Sequence, residues 1–63
     1  MILLTFHSPF GELVGETTQS VPISLARRRA EQYAKERPGR VVIVWHNGVP
    51  VESWHYPLEA CGV

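Results

Sequence analysis

The sequence predicts an α+β fold of ββαββ order: a four-stranded antiparallel sheet with strand order 2-1-3-4 and one helix packed on one face. Three features predict it. An amphipathic stretch runs from about Ile23 to Glu36 and stops at Arg37-Pro38-Gly39. A β-branched run, Val41-Val42-Ile43-Val44-Trp45, is followed by Asn47-Gly48. An apolar segment at residues 2–7 closes on Ser8-Pro9-Phe10-Gly11.

The first strand carries Ile2, Leu3, Leu4 and Phe6, apolar enough to be buried on both sides. Serine, proline and glycine at the first, second and fourth positions of Ser8-Pro9-Phe10-Gly11 suit a type I turn closing into a bulge. Residues Glu12 to Thr17 return as a weaker strand, whose charges and glycine suit a sheet edge. Thr17 to Ser20 reads as a loop. At 100° per residue Ile23, Ala26, Ala30, Tyr33 and Ala34 gather into one apolar stripe, with Arg28, Gln32 and Lys35 opposite. Ser24 is the candidate cap, although three arginines then crowd the first turns against the helix dipole.

Asn47-Gly48 favours a type I′ two-residue hairpin. That loop pairs His46 with Val49, Trp45 with Pro50, Val44 with Val51, Ile43 with Glu52 and Val41 with Trp54. Pro50 then turns its missing donor outward, which suits an edge strand. Each hairpin has one apolar and one edge-like strand, so the apolar pair belongs in the centre and the helix crosses over the first strand. Residues 1–63 form a single domain, with 58–63 as a loosely ordered tail.

One helix covers one side of such a sheet, yet the third strand is apolar on both. Val41, Ile43, Trp45 and Trp54 are expected beneath the helix, and Val42, Val44, Val51 and Ser53 on the uncovered side. That uncovered side, with Phe10 at a hairpin tip, is the expected partner interface. Its other possible cover is the C-terminal tail, using Leu58 and Val63.

Composition narrows the function classes. A chain of 63 residues has a marginal core, and Cys61, its single cysteine, allows no internal disulfide. The six basic and six acidic residues cancel, which eases self-association and argues against a dedicated duplex-DNA binder. No apolar run approaches the roughly 18–20 residues that span a bilayer. The expectation is a cytoplasmic protein without a membrane partner.

Candidate chemistry is sparse. His46, which faces Val49, stands too far from His55 along the hairpin to share a metal with it, while His7 and His55 should meet at one end of the sheet, with Arg40 beside them opposing a cation. Cys61 has nothing in the sequence to position it or lower its pKa, and the glutamates are scattered. No cofactor, small-molecule substrate or catalytic set is expected. Arg27-Arg28-Arg29 spans about 200° of the helix: Arg27 and Arg29 flank the apolar stripe, within reach of Glu31 and Glu36, and Arg28 faces solvent. Trp45, Trp54 and Tyr56 share one hairpin face and are core candidates.

Two readings follow. The leading one is a non-enzymatic protein-interaction module, a homodimer or an accessory or inhibitor subunit, using the uncovered face or an edge strand. The alternative is a small nucleic-acid binder using Arg27, Arg28, Lys35 and Arg40 or exposed aromatics.

Overall fold

A computed structural model describes residues 1–56. Its elements are β1 (Ile2–His7), β2 (Leu13–Gln19), α1 (Ile23–Glu36), β3 (Val41–His46) and β4 (Val49–His55). The strands form one antiparallel sheet in the order β2-β1-β3-β4, and the chain is ββαββ, as its sequence predicts. The expectations for residues 57–63, including a covering role for Leu58 and Val63 and any chemistry at Cys61, lie outside the described residues.

Turn chemistry sets both hairpins. Gly11 donates its N–H to the Ser8 carbonyl (2.9 Å), and the Ser8 hydroxyl accepts from the Phe10 and Glu12 amides (both 3.2 Å). In the second turn Asn47 and Gly48 have φ of 53° and 82°, the left-handed pair that a type I′ turn demands. The strand from Leu13 continues to Gln19, so Thr17 to Gln19 is not a loop. The hairpin register explains the extension, because Ile2, Leu3 and Leu4 need Gln19, Thr18 and Thr17 as partners.

The helix starts at Pro22, whose carbonyl accepts from Leu25 and Ala26 (both 3.0 Å), and no side chain caps it. Ser24 therefore sits inside the first turn and does not serve as the cap. Ala26, Ala30 and Ala34 are fully buried and pack on Ile2, Leu4, Val42 and Val44. Phe6, Val21, Ile23, Tyr33, Trp54 and Tyr56 close this core around its margin. The Tyr56 hydroxyl donates to Glu31 (3.1 Å). Partial desolvation, and then that carboxylate, hold the phenol above its usual pKa.

Val42 and Val44 thus lie beneath the helix, and Val41, Ile43 and Trp45 on the opposite face, the reverse of the expected assignment. The cause is one bulge. His46 pairs with Val49 and Trp45 with Pro50 as expected, but Val44 then pairs with Glu52, Ile43 with Ser53, Val42 with Trp54 and Val41 with His55. Val51 is the extra residue. A one-residue slip moves every later side chain to the other face. Trp54 is beneath the helix as expected, but it brings Val42 with it, and Trp45 parts from Trp54 and Tyr56.

The arginines also find different partners. Arg27 donates to Glu52 on β4, and Arg29 donates to Gln19 on β2 (2.6 Å). Glu31 instead pairs with Lys35 (3.6 Å). The two residues that flank the alanine stripe thus reach opposite edge strands. Glu52 holds the Arg27 guanidinium above its ordinary pKa, through their hydrogen bond first and charge attraction second.

Candidate functional site

Among the described residues, the sheet face opposite the helix has no second layer. Cross-strand pairing arranges it in three rungs. The first holds Thr18, Leu3, Trp45 and Pro50, the second Glu16, Thr5, Ile43 and Ser53, and the third Leu13, His7, Val41 and His55. The centre is apolar, from Leu3, Val41, Ile43 and Trp45, each half-buried. Polar groups stand toward the margins.

Thr5 is the exception at the centre. It is only 6% exposed on a face that no other layer covers among the described residues. Its cover is side chains of the face itself: Trp45 Nε1–H donates to Thr5 Oγ1 (2.8 Å), and His7 Nε2 stands 2.9 Å from the same oxygen. His7 Nδ1 lies 3.3 Å from the Gly11 carbonyl, which only accepts, so Nδ1 carries the proton. Nε2 then accepts from the Thr5 hydroxyl. The sequence indole, hydroxyl, imidazole, carbonyl ties β3 to β1 and β1 to the turn before β2.

This network holds the indole across the sheet, from β3 toward β1. It also leaves the hydroxyl roofed, so a substrate carbon has no approach to it. Thr5→Val keeps the shape but strands the indole N–H. The expected cost is about 1–2 kcal/mol, with a changed Trp45 emission, measured by denaturant titration followed by fluorescence. A change below a few tenths of a kcal/mol would show that the hydroxyl holds nothing.

The expected interface residues divide. Val51, Ser53 and Phe10 are exposed, Phe10 at 92% on the β1–β2 turn. Val42 and Val44 are fully buried in the helix-side core and cannot meet a partner. Their places belong to Leu3, Val41, Ile43 and Trp45. The signal that could have found them is the alanine stripe: a helix that close to the sheet leaves room for valine beneath its middle and pushes tryptophan to the margin.

The arginine set proposed for nucleic acid does not form one surface. Arg27 is paired with Glu52, and Lys35 with Glu31. Arg40 lies over the Phe6 ring (5.1 Å) and donates to the Tyr33 carbonyl (3.4 Å). Arg28 alone is exposed with no partner among the described residues. A concavity of about 290 Å³ joins His7, Val14, Arg37 and Arg40, but His7 and Arg40 are already committed as described.

His7, Val41 and His55 occupy successive positions of one rung, so the two histidines do share an end of the sheet, with a whole strand between them. Among the described residues no three His, Cys, Asp or Glu side chains gather into a metal-holding group. No described helix is long and apolar enough to cross a membrane. Comparisons with protein-family models, curated proteins and solved structures find no match to this chain.

Proposed function

We propose that this chain is a non-enzymatic protein-interaction module that acts through the open face of its sheet. One observation carries the reading. The central strand β3 spends Val42 and Val44 on the helix-side core and still presents Val41, Ile43 and Trp45 on a face without a second layer among the described residues. Apolar groups placed side by side at the centre of a flat surface, with polar groups around them, are the pattern of a docking site.

The edges are poorer candidates than the face. In β2 the register shifts between Phe6 and His7 and leaves Val14 over, and β4 has its own bulge at Val51 beside Pro50. Bulges and proline interrupt the row of backbone donors and acceptors that an added strand needs.

The test is site-specific photo-cross-linking in cells that make the protein naturally. A benzophenone side chain replaces Ser53 on the open face or Gln32 on the exposed side of the helix. The expected result is a discrete protein adduct from position 53 and none from position 32. Equal labelling at both positions, or none at position 53, would remove the reading.

A further inference from the structure

We infer that the occupant of the open face is a second copy of this chain, seated about a two-fold axis that lies between the two sheets and runs along the strands. The inference rests on the interaction reading above and names its partner.

Charge is the first ground. The chain is neutral overall, so copies do not repel at a distance. The three rungs contain one carboxylate, Glu16, and no lysine or arginine. A strongly charged partner finds little to pair with there, whereas a copy of the same face matches its apolar centre.

Geometry is the second ground. Isologous packing of two sheets can place the axis across the strands or along them. An axis across the strands lays the middle rung on itself and brings Glu16 against Glu16, which like charges oppose. An axis along the strands keeps each rung at its own height and exchanges β2 with β4 and β1 with β3. Leu3 then stands opposite Trp45 of the second copy, the Thr5 position with its Trp45 and His7 cover opposite Ile43, and His7 opposite Val41. Glu16 falls on Ser53, with His55 one rung away. Aligned sheets pack in this manner with strands within about 30° of each other.

Area is the third. Four strands about 4.8 Å apart and six residues long at about 3.3 Å each give a footprint of roughly 400 Å². Corrugated side chains bury more accessible surface than their footprint. The face thus approaches the roughly 600 Å² per partner of the smallest specific interfaces, and the expected association is micromolar.

The experiment is analytical ultracentrifugation of the full chain from about 1 µM to about 1 mM, a range that brackets such an affinity. A reversible dimer is expected. S53R sets an arginine opposite Glu16 twice per dimer and should tighten dissociation roughly 2- to 10-fold, a gain lost again in the S53R/E16Q double variant. With the axis across the strands, S53R would set arginine against arginine and weaken the dimer. A 7.1 kDa monomer throughout the range, or weakening by S53R in a chain with unchanged circular dichroism, overturns the inference. A monomer whose position 53 still captures another protein sinks the second copy and leaves the interaction reading intact. A monomer whose position 53 captures only residues 57–63, or nothing, removes both.

Discussion

Leu4→Ala is expected to cost about 3–5 kcal/mol, enough to leave much of the population unfolded at 37 °C. Leu4 is fully buried at the middle of β1, paired with Val44 and covered by the helix. A leucine-to-alanine change in a core removes transfer free energy and adds the cost of whatever void remains, typically 2–5 kcal/mol together. The upper half applies here. The helix above this position offers Ala26, Ala30 and Ala34, which have no further atoms to lean into the gap. Total stability for a domain of this length is of order 3–9 kcal/mol. Thermal melts by circular dichroism should fall by roughly 12 °C or more. Leu3→Ala, the next residue on the opposite face, should cost the monomer much less. Equal losses at positions 3 and 4 would contradict the division of the sheet into a covered and an open side.

Ile43→Lys is expected to abolish self-association while leaving the monomer folded. Ile43 stands in the middle rung between Thr5 and Ser53, half-buried on the open face. In the lone molecule a lysine stem can lie over the same apolar neighbours and keep its ammonium in water. In the two-fold assembly each ammonium would face the Thr5 position of the other copy, with Glu16 of that copy one strand away in the same rung. Taking both charges out of water at the centre of an apolar contact costs more than their attraction returns, so the dissociation constant should rise at least ~100-fold, about 2.7 kcal/mol. The check is sedimentation beside a melt of the same sample: a monomer that melts within a few degrees of wild type is expected. A variant that still dimerises would place the contact elsewhere on the surface.

Element boundaries were largely legible because each is punctuated by residues with one backbone preference. Pro38-Gly39 stops the helix, Asn47-Gly48 accepts the two positive φ values, and Ser8 with Gly11 closes the first turn. Strand order followed from which strands are apolar on both sides. The choice of faces did not. It depends on whether β4 runs straight from Pro50 to Trp54, and a bulge has no composition of its own. A straight register ties Trp54 to the side of Val41 and Trp45, so placing Trp54 in the core misplaces the whole of β3. Pro50 is the nearest thing to a signal, since an edge strand that begins with proline is already irregular. The Thr5 network was illegible for a related reason. Thr5, His7, Gly11 and Trp45 come together only after two hairpins and the central pairing exist. Helix spacing places Arg27 and Arg29 beside the stripe, but it shows only partners on the helix itself, not Glu52 and Gln19 on the strands below.

Those two arginines bear on how the helix is oriented. Methyl groups let a cylinder settle close to a sheet but give it nothing to mesh with, so such a cylinder is free to roll about its own axis. Arg27 and Arg29 extend to port and starboard and fasten to the outermost strands, like a pair of outriggers. Angular setting in this protein is therefore shared between tethers at the sheet margins and the flanking Ile23 and Tyr33, while closeness is governed by the keel of alanines between them.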